Sequence, residues 1–499
     1  MRNNNVFNQK INKNIIKILL MFGITIVAQS LALMKSTLVA SYFGTSEEID
    51  AYNLVNSMIS FVFAIVVSGI PTIIIPEYVN GNKKNAADTF ITVIYGGGLM
   101  VAVMMLLLRY PLINLFSNRG DIFITTAANV LVILLLSQYL AAFSGITVAF
   151  FQCEGKYNIP KIINLICQIV VVVILLHKNG KISVIEYAVI IAFGSILGFI
   201  VDTFIAFKMG WRLMPRLCLN QESLSLLKKF IPMLFSGGIY QLSLFVDSIM
   251  ASFLSTGMVT ILSYSTQVSS MASSIVVGNL LQYIYPKIAK RINENGYQDR
   301  FWGQSRGLHA VVCLMIAGFM CVGREAIFVL LNHGKFSSEA CEIVFFSAMI
   351  YIYGQGVSII RDMMYRYFYA MGNTKIPAQN SVFVSISNIL FSLLFVKIMG
   401  FYGIVLGTVL SSLISLGIIM YRFNKTIGFS QKTSKIIGMF INNFLIMLVT
   451  VVLVYLTKSI LPIENDLLSI LTYGVETVAL YVLIHFVFNR QTISDIKSL

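Results

Sequence analysis

The chain has 499 residues, 57% of them hydrophobic and only 11% charged, with a mean hydropathy of +0.82. A water-soluble domain carries about 25% charged residues, so this composition excludes an ordinary soluble enzyme and points to a chain bathed in lipid. The net charge of +15 is parcelled out between apolar segments rather than gathered on one surface, and no nucleic-acid partner is expected.

In chain order the apolar runs predict about fourteen membrane-spanning helices, near 15–42, 50–76, 90–114, 122–150, 159–177, 184–207, 226–253, 257–286, 306–332, 339–370, 376–399, 402–422, 435–457 and 464–488. The stretches 124–149 and 436–456 hold no charged side chain. Each is long enough to cross a hydrocarbon core of about 30 Å. Barrel strands would read as short alternating segments, so the fold class is all-α. The first run is too long for the apolar region of a signal peptide and is followed by a second span, which reads as an uncleaved helix.

Of the 36 Lys and Arg residues, 27 fall at the N-terminus or after even-numbered spans, 8 fall on the opposite side, and Lys35 lies within a span. Basic loops stay in the cytoplasm, so both termini are predicted to be cytoplasmic.

The chain repeats itself once. VVSGIPTIIIPEYVNGNKKN, around Val66 and Pro76, matches VVGNLLQYIYPKIAKRINENG, around Val276 and Pro286, at an offset of 210. On the same offset SYFGTS (41–46) faces ASFLST (251–256), and FQCEGKYNIPKI (151–162) matches FYAMGNTKIPAQ (368–379) at 217. Six spans per half is an even number of crossings, so the repeat is parallel, about an axis along the membrane normal. The expected organisation is a lobe over 1–217, a second over 218–425, and an appended pair of helices over 426–499. Pro71, Pro76 and Pro286 favour bends or helix ends.

The chain has no Walker A sequence, no GxGxxG and no HExxH, and its four histidines are scattered. Catalytic residues are therefore not assigned, and a self-contained ATP-driven pump is disfavoured. Cys153, Cys167, Cys218, Cys313, Cys321 and Cys341 form no CxxC pair and read as small hydrophobes. Ionisable residues within spans carry more information, because a charge at mid-bilayer usually faces a cavity or an internal partner. They are Lys35, Asp202, Asp247, Glu476 and the group Arg361, Asp362 and Arg366. Lys35 suits a cavity that receives an anion, or snorkels to the outer headgroups. Asp247 suits a cation site or a satisfied polar contact. Arg361 and Arg366 stand near the cytoplasmic face, where headgroups are an equal account.

The stretch Lys35-x-x-x-Val39-Ala40-x-x-Phe43-Gly44-Thr45-Ser46-x-x-x-Asp50-Ala51-Tyr52 resembles the first two helices of the MurJ (MviN) lipid II flippase family. So do Tyr285-Pro286-Lys287-Ile288-Ala289-Lys290 and the run from Arg366 to Pro377, RYFYAMGNTKIP. That family lies within the multidrug, oligosaccharidyl-lipid and polysaccharide exporter superfamily. The resemblance implies flipping of an undecaprenyl-pyrophosphate-linked saccharide, most simply lipid II, to the outer leaflet by a monomer held among membrane lipids. It implies substrate contacts from Lys35, Asp50, Arg361 and Arg366. It also makes Asp247, Asn388 and Thr408 resemble a monovalent-cation site for Na+ or H+. Where the family carries further cavity charges, this chain has Gln29, Phe63, Gln267 and Ser270; Ser392 stands where an acid sometimes follows Asn388. Export of another lipid-linked glycan, cation-coupled drug antiport and a membrane glycosyltransferase are the competing readings. The last is opposed by the thin supply of acids and histidines in the outer loops.

Overall fold

The computed structural model describes residues 2–79, 84–154, 156, 158–212, 215–294 and 296–498. Within its helices the side chains of 2–22, 64–79, 84, 229, 231–237 and 497–498 lie outside the described set. Every regular element among the described residues is helical. The order begins α1 (Arg2–Phe43), α2 (Glu47–Val79), α3 (Lys84–Leu107), α4 (Arg109–Phe116), α5 (Asp121–Cys153), α6 (Asn158–Lys178), α7 (Val184–Lys208) and α8 (Gln221–Ser252). It continues with α9 (Met258–Ser273), α10 (Asn279–Arg291), α11 (Tyr297–Leu331), α12 (Ser338–Ala370) and α13 (Lys375–Met399). The last are α14 (Phe401–Thr426), α15 (Thr433–Ile460), α16 (Asp466–Phe488) and α17 (Arg490–Ser498).

Two predicted spans are interrupted rods. The third divides at Leu108 into α3 and α4, because the ring of Pro111 crowds the carbonyl one turn back and its missing N–H suits only a first turn. The eighth runs as α9, a π-helical turn over Ser274–Gly278, and α10. Pro286, predicted to bend or end that span, sits inside α10, and the irregularity lies upstream at the π turn. Counted as rods, the elements give about fourteen spans. Eleven helices among the described residues are long and apolar enough to cross a membrane. The backbone of α2 stays helical through Pro71 and Pro76; their side chains, with Lys83 and Gly155, lie outside the described residues.

Helix starts follow local chemistry. Ser183 with Glu186 and Asn220 with Ser223 form capping boxes for α7 and α8, and Ser337 and Asn465 cap α12 and α16. Packing divides the chain into two compact units. One comprises Met34–Ser263 with Ser385–Ile404; the other comprises Met1–Leu33, Tyr264–Val384 and Val405–Leu499. This division follows packing density, whereas the predicted boundaries at 217 and 425 follow the repeat. In the first unit α2 packs against α5 and α8. In the second α11 packs against α12, α15, α16 and α17, so the final helices are built into a shared core that includes Trp302, Ile316, Met447 and Tyr481.

Candidate functional site: two buried carboxylates and the charged residues of the spans

Asp50, in the first turn of α2, is fully buried. Its Oδ1 accepts from the Thr260 backbone N–H at 2.8 Å and the Thr260 hydroxyl at 2.6 Å, and its Oδ2 accepts from the Gly257 N–H at 2.6 Å. The carboxylate thus caps the start of α9 from another helix, where free N–H groups and the helix dipole both favour an anion. Arg119 stands 3.7 Å from Oδ2. Its guanidinium also donates to the carbonyls of Ser252, Leu254 and Ser255 and to the Thr256 hydroxyl. Asn53 closes the arrangement by donating to the Thr260 hydroxyl at 3.1 Å. Gly257 is required here: its φ is +91°, and a Cβ would come 2.8 Å from Thr45.

Asp247, on α8, and Asn388, on α13, meet: Asn388 Nδ2 donates to Asp247 Oδ2 at 3.2 Å. Ser392 Oγ orients the same asparagine by donating to its Oδ1 at 3.2 Å, and also reaches the Ile404 carbonyl. The residue in the place of an acid therefore holds Asn388 in position. Thr408 is on α14 in the other compact unit.

Lys35 is half-buried in the apolar part of α1 and forms no ion pair with any described residue. Arg361 pairs with its neighbour Asp362 at 3.0 Å and lies over the ring of Tyr365, while Arg366 lies over Tyr285. Gln29 donates to Ser274 in the π turn at 2.9 Å, and Phe63 is buried against Tyr139. Asp202, one of the ionisable residues within spans, is buried. Sequence reasoning did not single out Arg119 or Thr260. The second carried a signal, since it follows Asp50 by the repeat offset of 210.

Long apolar helices with buried carboxylates on α2 and α8 define a polytopic helical membrane protein. The fold agrees with an inward-facing multidrug resistance MATE family transporter of the MOP superfamily, 14% identical, covering 83% of this chain and 98% of that one with a TM-score of 0.62. It agrees more fully with the inward closed conformation of a lipid II flippase MurJ, 20% identical, covering 95% and 100% of the two chains with a TM-score of 0.82. A relative from Aquifex aeolicus (strain VF5), named "Probable lipid II flippase MurJ", is 25% identical over 474 residues, 91% of this chain and 90% of that protein. The chain belongs to the family described as Lipid II flippase MurJ, which matches residues 39–475.

Proposed function

We propose that this protein moves an undecaprenyl-pyrophosphate-linked saccharide, lipid II in the first place, from the inner to the outer leaflet of a bacterial cell membrane by alternating access. It works as a monomer with both termini in the cytoplasm, an orientation supported by the 27 basic residues at the N-terminus and after even-numbered spans. Family membership over 39–475 is the observation that carries the substrate. Lys35 supports it from the chain's own chemistry: a cation within a span, with no ion pair among the described residues, suits a pyrophosphate in a partly dehydrated cavity. Arg361 and Arg366 serve the same anion nearer the cytoplasmic face.

Asp50 acts differently from the substrate contact expected of it. Its oxygens are taken by Gly257, Thr260 and Arg119, so it holds the outer ends of α2, α5 and α9 together, and transport opens that closure by releasing these bonds. Asp247, oriented by Asn388 and Ser392, binds the coupling cation.

The test is rescue of cells depleted of their essential lipid II flippase. Wild type and Lys35→Arg restore growth, whereas Lys35→Ala lowers outer-leaflet lipid II about tenfold, equivalent to ~1.4 kcal/mol. Failure of the wild-type protein to rescue, with rescue instead of a capsule-precursor exporter, would transfer the proposal to another lipid-linked glycan. Full activity in Lys35→Ala would remove the cavity role of that lysine.

A further inference from the structure

The buried face of α16 consists of Ser469, Tyr473, Thr477, Tyr481 and His485, one polar side chain every four residues, while its other faces expose leucine, valine and phenylalanine. Polar side chains on membrane helices commonly join helices by hydrogen bonding across the interface. Here the bonding is incomplete. Both ring nitrogens of His485, Asn443 Oδ1 and Glu325 Oε2 are buried without a hydrogen bond. An orphaned polar group in a membrane interior is costly, and glue alone does not explain four such atoms along one seam.

The groups facing this stripe come from α11, α15 and α17. At the α17 end, Arg306 Nε donates to Asp495 at 2.6 Å, and Asn443 Nδ2 donates to the Arg306 carbonyl at 3.0 Å while lying 3.3 Å from His309 Nδ1. Cys313 Sγ is 3.6 Å from that nitrogen; the Tyr481 hydroxyl donates to the neighbouring Ala310 carbonyl, and its ring lies 4.6 Å from that of His485. One turn along α16, the Thr477 hydroxyl donates to the Tyr473 carbonyl at 2.6 Å. At the far end Lys458 Nζ donates to Glu325 Oε1 and the Thr457 hydroxyl to Glu476 Oε1, both at 2.6 Å, beside the Arg324–Glu342 ion pair. Tyr353 from α12 and Tyr455 from α15 complete the titratable groups of the seam. Arg306 to Glu325 is nineteen residues of one helix, about 28 Å at 1.5 Å per residue. That is close to the full hydrocarbon core of about 30 Å.

Access at the α17 end is provided for. A cavity of about 470 Å³ lies against Arg306 and Asp495, with Asp299, Arg300, Gln304 and Gln491 in its wall. Burial holds the Asp495 carboxyl above the ordinary carboxylate range against the opposing pull of Arg306. The α17 helix is seated there by close approach: a Cβ on Gly307 would come 3.0 Å from the backbone of Asp495 and Ile496.

We propose that the seam between α11, α15 and α16 is a proton file, separate from the Asp247 site, that takes up and passes protons between Asp495 and Glu325. At His485 an incoming hydronium gives its proton to a ring-nitrogen lone pair and leaves as water. Each hydroxyl of Tyr481 and Thr477 then accepts a proton on oxygen as it gives up its own, Glu325 becomes the protonated acid, and water beyond it takes the proton away. The net change is one proton moved and no bond otherwise altered.

The test needs no saccharide lipid, so its outcome is independent of the substrate assigned above. Purified full-length protein is placed in phosphatidylethanolamine–phosphatidylglycerol vesicles holding a pH-sensitive dye, and a potassium diffusion potential drives protons inward. Wild-type vesicles should acidify at least about fivefold faster than protein-free ones. Thr477→Val, which keeps side-chain volume and removes the hydroxyl, and His485→Gln should each fall to within about twofold of the protein-free rate, with melting in detergent only slightly lowered for Thr477→Val. A wild-type rate no faster than protein-free vesicles, or a wild-type rate retained in Thr477→Val, would overturn the file.

Discussion

The polar knot around Asp50 and the polar seam along α16 bury similar chemistry to opposite ends. In the knot each carboxylate oxygen is engaged, by backbone N–H groups, a hydroxyl and a guanidinium. In the seam a histidine and a glutamate keep buried atoms with no hydrogen bond. A saturated buried charge holds helices in place, and removing it leaves several donors stranded together. An under-satisfied group contributes little to holding helices, and its exchangeable protons and lone pairs remain available. Burial alone does not distinguish the two; counting the bonds does.

The sharpest break in that comparison is Asp50→Ala. It strands the N–H groups of Gly257 and Thr260 and the Arg119 cation, and should cost about 3–5 kcal/mol, read as a large drop in melting temperature in detergent. Asp50→Asn retains volume but turns a donor toward one of those N–H groups, so it should recover only part of the loss. Gly257→Ala comes next. A side chain at φ +91° against Thr45 should cost about 1–3 kcal/mol in the same melt while leaving every Asp50 partner in the sequence. The seam should respond least: Thr477→Val loses one bond to the Tyr473 carbonyl and should cost about 0.5–1 kcal/mol. A melt for Thr477→Val as depressed as that of Asp50→Ala would erase the distinction between holding and conducting.

Much of this was written in the sequence at the level of rods. Apolar length gives the helix order, and the motifs around Asp50 and Arg366 give the family. The interruptions of the third and eighth spans were not read, because hydropathy is blind to the local crowding at Pro111 and to a π turn. Asp247 with Asn388 was legible through resemblance and is confirmed as a contact, whereas Ser392 as the residue orienting Asn388 was not. Arg119 looked like one of a few basic residues on the outer side, since nothing in a loop's sequence reports which carbonyls its guanidinium reaches. The histidines looked scattered because His309 and His485 lie far apart in the chain, and only the packing of α16 on α11 brings Tyr481, beside His485, to the carbonyl of Ala310. The packing of α15 and α16 against α11 was likewise not legible, because hydropathy does not report which helices share a core.

The central claim is that this chain carries a lipid-linked pyrophosphate saccharide across the bilayer. Its most direct test is purified full-length protein in vesicles containing fluorescent lipid II, with outer-leaflet exposure read by an impermeant quencher. The account predicts that the quenched fraction rises well beyond that of protein-free vesicles, and that Lys35→Ala lowers the rate about tenfold while Lys35→Arg does not, ~1.4 kcal/mol separating the two. Quenching by the wild-type protein that never exceeds the protein-free level would contradict it.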